Sequence, residues 1–76
     1  MKQESYIEER YEVRTFFREG GKVVGTARCS SEQEAKCFAR HQLKYFPYVE
    51  VVYLTGYVQP WGGFEIKQSL VLAKFI

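Results

Sequence analysis

Residues 31–46 constrain the fold most strongly, because they form one amphipathic helical segment within a chain of 76 residues. Ser31 and Glu34 form a capping-box pattern, in which Ser31 accepts from the Glu34 amide and Glu34 reaches back. Ser30 is an alternative cap, paired with Gln33. Behind the cap, apolar residues recur at helical spacing and predict a helix of about 14 residues that ends before Pro47.

Segments with the patterns of β-strands lie on both sides of this helix. In residues 10–18, one face carries Tyr11, Val13, Thr15 and Phe17, and the other carries Glu12, Arg14, Phe16 and Arg18. Such alternation predicts a half-buried strand. Gly20 and Gly21 predict a tight hairpin into a second strand, residues 22–29. Its small residues Gly25 and Ala27 predict a close approach of backbone or helix. Residues 49–57 and 64–75 predict two more strands, the last bulged near Gln68 and Ser69.

The order β-β-α-β-β predicts a single α+β domain over residues 10–76, preceded by a flexible acidic segment over residues 1–9. We expect a four-stranded, mostly antiparallel sheet with the helix packed on one face. The apolar runs are shorter than the ~20 residues that a membrane helix needs. There is no secretory signal pattern, and Cys29 and Cys37 are interpreted as reduced thiols. The sequence therefore predicts a soluble cytoplasmic protein without a membrane partner.

Aromatic residues are abundant, with six Phe, six Tyr and one Trp, or 17% of the chain. One helix covers one face of a sheet, so we expect the other face to expose aromatic side chains rimmed by arginine, as interfaces do. The predicted partner-binding residues are Arg14, Phe16, Arg18, Tyr53, Tyr57 and Trp61. A homodimer seam fits the same surface. Alternatively, loops or the N-terminal segment fold over this face, and Trp61 folds back on the sheet.

A row of basic residues on the predicted helix is a second candidate site. Lys36, Arg40 and Lys44 follow one another at intervals of four residues and lie away from the apolar stripe. Such a row can bind acidic side chains or phosphates. Alternatively, it is a solvated helix face whose charge complements the dipole at the helix C-terminus.

The residues that catalysis needs are scarce. His41 is the single histidine and the chain has no Asp, so a Ser-His-Asp triad cannot form. Cys37 and His41 lie one helical turn apart, and Cys29 could join them as a zinc ligand, but no ligand spacing typical of zinc sites supports this. We therefore predict a non-enzymatic protein with no catalytic residue, no metal and no cofactor.

Residues 18–28 read Arg-Glu-Gly-Gly-Lys-Val-Val-Gly-Thr-Ala-Arg and precede the capped helix, and strands 49–54 and 70–75 close the chain. This arrangement resembles the small phage and mobile-element inhibitors known as anti-CRISPR proteins, in particular those that act on type I effector complexes. The resemblance implies a non-enzymatic inhibitor in the host cytoplasm that binds a Cascade subunit or the associated nuclease and blocks DNA targeting. Residues 14–76 have a net charge of +4, unlike the acidic DNA mimics of that group.

A small module that binds single-stranded nucleic acid is the alternative function. Aromatic side chains on a sheet can stack bases while Arg14, Arg18 and Arg28 contact phosphates. The aromatic motifs of the RNA-recognition sheet are absent from the sequence. Binding driven by phosphate contacts weakens steeply with salt, which separates this hypothesis from protein binding. A structural or assembly subunit is a third possibility.

Overall fold

The computed structural model describes residues 6–76 and has the element order predicted from the sequence. The elements are β1 (Tyr6–Phe16), β2 (Val23–Cys29), α1 (Glu32–Gln42), β3 (Tyr48–Val58) and β4 (Phe64–Phe75). The strands form one antiparallel sheet in the order β2-β1-β3-β4. The predicted single α+β domain with a four-stranded antiparallel sheet and one helix is confirmed.

Strand β1 begins four residues earlier than predicted. The assignment of residues 6–9 to a flexible segment is wrong, because Tyr6 lies opposite Val58 and Glu9 lies opposite Thr55 in β3. These residues are part of β1 because they pair with β3, a strand that is distant in sequence. Their side chains have no deeply buried face, so they lack the apolar alternation by which a strand is recognised. The remaining part of the predicted segment, residues 1–5, lies outside the described residues.

The helix begins as predicted and ends sooner. Ser31 is the N-cap and its hydroxyl accepts from the Glu34 amide at 3.2 Å. The Glu34 carboxylate accepts instead from the hydroxyl of Ser30. The helix is 11 residues long, and beyond it the Tyr45 amide donates to the Gln42 carbonyl at 2.9 Å in a tightened final turn. Pro47 disfavours helical geometry at the residue before it, so the chain leaves the helix here.

The main core lies between α1 and the sheet. Ala35 and Ala39 are fully buried, and their small side chains bring the helix backbone close to the strands. The predicted inward face of β1 is confirmed at Val13 and Tyr11, which pack in this core. Other members of the core or its margin are Cys29, Leu43, Phe46, Val49, Val51, Leu72, Ala73 and Phe75.

The helix is much shorter than the sheet that it covers. Eleven helical residues span about 16 Å, whereas 11 strand residues span roughly 36 Å. Strand β2 pairs only with residues 11–16 of β1. The sheet therefore has a covered end, beneath α1, and a bare end formed by residues 6–10, 54–58 and 64–70. The molecule measures 49 × 24 × 17 Å, and its 14.0 Å radius of gyration exceeds the about 11 Å of a compact chain this long.

The face of the sheet opposite α1 does not expose the aromatic surface predicted for it. Phe16 and Tyr48 are 6% and 3% exposed, and their ring centroids lie 5.3 Å apart. Val52 and Leu54 are also buried, although no helix or second sheet lies on this face within residues 6–76. A different layer must therefore exclude water from them.

Long charged side chains of β1 form that layer. Arg10 lies opposite Leu54 and Glu12 lies opposite Val52. Arg10 pairs with Glu8, and Arg14 pairs with Glu12. The Arg10 guanidinium also stacks over the Phe64 ring, 3.7 Å from its centroid. The aliphatic stems of such residues cover apolar surface while their charged groups stay in water. This layer explains why the expected exposed aromatics are absent from the centre of this face.

Candidate functional site

The residues predicted to form one sheet-face site lie on both faces. Arg14 is half-buried on the face opposite α1, and Phe16 is buried there. Tyr53 lies on the α1 side, where its ring centroid is 5.3 Å from that of Tyr11. A hydrogen bond with Glu9, followed by burial, raises the pKa of Tyr53. Tyr57 lies on the same side, with Lys67 Nζ 5.6 Å from its ring centroid.

The other two predicted residues lie at opposite ends of the molecule. Arg18 is exposed in the loop after β1, whereas Trp61 is in the loop between β3 and β4, close to the start of β1. The length of β1 separates these loops by roughly 30 Å. Trp61 is 80% exposed, and its indole lies over Gly63, where a Cβ would collide with the ring. The indole is thus folded onto its own loop rather than onto the sheet.

The predicted basic row on α1 is partly engaged within the chain. Lys36 Nζ lies 2.7 Å from a Glu32 carboxylate oxygen, one turn earlier. The Arg40 guanidinium lies over Phe75 of β4, 5.7 Å from the ring centroid. Lys44 is exposed in the turn after the helix. Two of the three positive charges therefore have partners already, which weakens the row as a phosphate site.

An apolar groove of about 230 Å³ lies between α1 and the β1–β2 side of the sheet. Phe38 and Gln42 form its helical wall. Gly25 and Ala27 are in its floor and are not covered by the helix, and the close neighbour of Gly25 is the Thr15 hydroxyl, 2.9 Å from where a Cβ would lie. The helix instead packs mainly over β1 and β3, the two central strands, and Arg40 contacts Phe75 of β4. The groove residues are Val13, Thr15, Gly25, Thr26, Ala27, Phe38, Gln42 and Phe46.

Exposed apolar side chains frame this α1–β2 groove. Phe17 and Tyr45 are each 68% exposed, and the Phe17 ring lies 5.8 Å from that of Phe46. Val23 and Val24 are also exposed at the β2 edge of the sheet, but Val23 lies opposite Phe16 and therefore on the other face from the groove. The aromatic surface predicted for the opposite face is therefore found on the α1 side. The sequence signals for it were the small residues of β2 and the position of Phe38 at the border of the helical stripe.

The segment that contains β2 carries a net positive charge. Residues 17–31 contain Arg18, Lys22 and Arg28 against Glu19, which is a net charge of +2. All four of these side chains are exposed. Within the groove itself, the Thr15 hydroxyl donates to the Gly25 carbonyl at 3.3 Å. The site combines an apolar recess with exposed aromatic rings, on a strand whose segment is basic.

Tyr48 gives the fold a pH dependence at alkaline pH. Its hydroxyl donates to Glu50 Oε2 at 2.7 Å, and burial, followed by this hydrogen bond, raises the pKa of Tyr48 from 10.0 to about 12. The folded state holds this proton more tightly than the unfolded chain, so the stability it contributes is present below pH 10 and is lost between pH 10 and about 12.

We expect the free energy of unfolding of the wild type to fall more steeply over this pH range than that of Tyr48→Phe. The variant is less stable at neutral pH by about 1 kcal/mol, because Glu50 loses its donor. Urea titrations at several pH values measure both effects. Tyr45→Phe removes an exposed hydroxyl and is the matched control. Equal slopes for wild type and Tyr48→Phe would contradict the assignment.

The two thiols differ in accessibility. Cys29 is buried in the core, and burial, followed by the charge of Glu34, raises its pKa, whereas Cys37 is exposed on α1. Thiolates react faster than thiols, so we expect N-ethylmaleimide to modify Cys37 in the native protein and Cys29 only after unfolding. Mass spectrometry with and without urea measures this. Cys37→Ser should lose the fast addition, and two fast additions to the wild type would disprove the predicted burial.

Residues 6–76 contain no group of three His, Cys, Asp or Glu side chains placed to hold a metal ion. No helix in this part of the chain is long and apolar enough to cross a membrane. Comparison of the chain with protein-family models, with curated proteins and with solved structures finds no match.

Proposed function

We propose that this chain is a non-enzymatic protein-binding module that acts by occupying a surface of its partner. The observation that carries this proposal is the α1–β2 groove, an apolar recess framed by exposed aromatic rings and an open strand edge. Aromatic residues and arginine are the usual energetic anchors of protein interfaces. The recess is smaller than the about 300–1,000 Å³ of small-molecule pockets, which favours side chains of a protein as its occupants.

The chemistry of the groove favours binding over catalysis. Its lining is mainly apolar, and its polar side chains are Thr15, Thr26 and Gln42. None of these titrates near neutral pH, as a general acid or base must. The Thr15 hydroxyl is already engaged with the Gly25 carbonyl. These groups can orient a bound segment by hydrogen bonding.

The first partner that we propose is a type I CRISPR effector complex, either a Cascade subunit or its nuclease. Residues 18–28, which carry the resemblance to anti-CRISPR inhibitors, include most of β2. They contribute Gly25 and Ala27 to the groove, and their exposed basic residues are Arg18, Lys22 and Arg28, of which Arg28 lies opposite Glu12 on the other face of β2. The same segment therefore carries both the resemblance and the candidate binding surface.

Binding to purified Cascade and to its nuclease, measured by interferometry, tests this proposal. Phe38→Asp places a charge at the groove and should weaken binding by at least about 30-fold, the effect of losing an interface anchor. Phe38 is partly exposed, so circular dichroism should show an unchanged fold. Trp61→Ala, at the far end of the molecule, is the matched control and should change the affinity by less than about threefold.

Other outcomes of this experiment would overturn the proposal. Loss of binding in Trp61→Ala and not in Phe38→Asp would show that the binding site is the β3–β4 loop, as the sequence predicted for Trp61, and not the groove. Absence of binding to either complex would remove the proposed partner. Micromolar binding to labelled single-stranded DNA or RNA, falling steeply between low and physiological salt, would support the nucleic-acid alternative instead.

A further inference from the structure

Strand β2 leaves the sheet incomplete beside α1. It has β1 as its neighbour on one side and is the last strand of the sheet on the other. The backbone groups that point away from β1 are therefore available for pairing. An added strand would lie about 4.8 Å from β2. Its inward side chains would meet the opening of the α1–β2 groove, which Phe38 borders.

The opposite edge of the sheet is less suited to accept a strand. Strand β4 carries two bulges against β3, because its register shifts at Lys67 and at Leu72, whereas β2 carries one against β1, at Val24 near its start. Bulges twist an edge strand and hinder pairing with another chain. On that side, Arg40 of α1 lies over Phe75, so the space between helix and edge is partly filled. Strand β2 is the edge that adjoins an open groove.

We propose that β2 accepts an extended segment of a partner protein as a fifth strand, and that this segment carries acidic residues among small or apolar ones. This inference rests on the proposed protein-binding function and specifies its mode. Strand addition draws affinity from main-chain hydrogen bonds and specificity from alternate side chains. The apolar groove selects the inward side chains, and the +2 charge of residues 17–31 selects acidic ones.

A second copy of the chain fits this edge less well. Antiparallel pairing of β2 with its own copy would bring two strands together that both carry Arg28 and follow Lys22. Like charges at such a seam oppose association.

Titration of the isotope-labelled full chain with synthetic peptides, followed by NMR, tests the proposal. The probes are three capped seven-residue peptides, the length of β2, in which valine alternates with glutamate, glutamine or lysine. At millimolar concentration, the glutamate peptide should shift the amide signals of Val23–Cys29 and of Phe38. It should bind at least about tenfold more tightly than the lysine peptide, because the edge is basic.

Two N-methylated forms of the glutamate peptide distinguish strand pairing from side-chain binding. In an added strand, alternate amides face β2 and the others face solvent. N-methylation of one alternate set should abolish binding, and N-methylation of the other set should leave it nearly unchanged. This pair of probes leaves the protein unaltered, so a loss of binding cannot arise from a misfolded variant.

Each other result of the peptide titration would overturn a different part of the proposal. Equal binding of both N-methylated forms, with shifts in the groove, would overturn strand addition and leave the protein-binding function standing. Equal or tighter binding of the lysine peptide would overturn the acidic character of the segment. Absence of shifts at β2 with every peptide would overturn strand addition, since main-chain pairing depends little on sequence. The Cascade and nuclease experiment tests the proposed function independently.

Discussion

Leu54→Ala is expected to destabilise the fold by about 2–5 kcal/mol, the range for removing a fully buried leucine side chain. Leu54 is 1% exposed in β3 and lies opposite Arg10 of β1 and Ser69 of β4, on the face without a helix. The charged layer above it cannot refill the cavity, because a guanidinium that enters apolar space loses its hydration. Urea unfolding followed by circular dichroism measures the loss.

Leu70→Ala is the matched control for this prediction. Leu70 is 54% exposed on β4, so the same substitution there should change the free energy of unfolding by less than about 1 kcal/mol. If Leu54→Ala does not fold, Leu54→Val supplies a smaller cavity and should still be less stable than Leu70→Ala. Equal effects at positions 54 and 70 would show that the charged side chains do not seal a second core.

Gly56→Ala is expected to cost about 1–3 kcal/mol through overpacking. Gly56 lies in β3 at the bare end, beneath the ring that Arg10 stacks on. A Cβ at this position would collide with the backbone carbonyl of Glu65 and lie 2.7 Å from Phe64 Cζ. Because the nearest obstacle is backbone of the neighbouring strand, relief requires β4 to move. The loss of stability should appear in urea unfolding.

Gly63→Ala provides the comparison for Gly56→Ala. The obstacle at position 63 is the side chain of Trp61, which can rotate away. We expect a change in stability within about 0.5 kcal/mol, together with a shift in the fluorescence of Trp61 as its indole leaves the loop. A Gly56→Ala protein as stable as Gly63→Ala would contradict the close contact of β3 with β4.

The element types were predictable because local patterns and tertiary structure agree over most of the chain. The capping pattern at Ser31 indicates where the helix begins. The alternation of Tyr11, Val13 and Thr15 indicates the face of β1 that is buried. The start of β1 was not predictable in this way, because its residues 6–9 are defined by pairing with residues 55–58, about 50 positions later. Alternation of apolar residues indicates that one face of a strand is buried, so it does not reveal a strand whose faces are both largely exposed.

The candidate site was less predictable than the fold. The sequence pattern placed Arg14 at the rim of an open surface, since charged residues usually indicate solvent. The long aliphatic stems of charged residues can also cover apolar neighbours. Which neighbours they cover depends on the order of the strands in the sheet, and the alternation pattern of one strand does not predict that order. The α1–β2 groove depends on how much of β2 the helix leaves uncovered as it packs over β1 and β3. In the sequence, Gly25 and Ala27 indicate only that β2 has small side chains at these positions, and they do not predict a groove.

The sheet order also has a consequence for how the chain folds. The pairs β1–β2 and β3–β4 are local hairpins, whereas β1 and β3, which join them, are separated in sequence by β2 and α1. Loop-closure entropy must be overcome before that central pairing stabilises the chain, so we expect this pairing to limit the folding rate. Until the two hairpins meet, Val13 and Val51 lack the cross-strand neighbour that each has in the folded sheet.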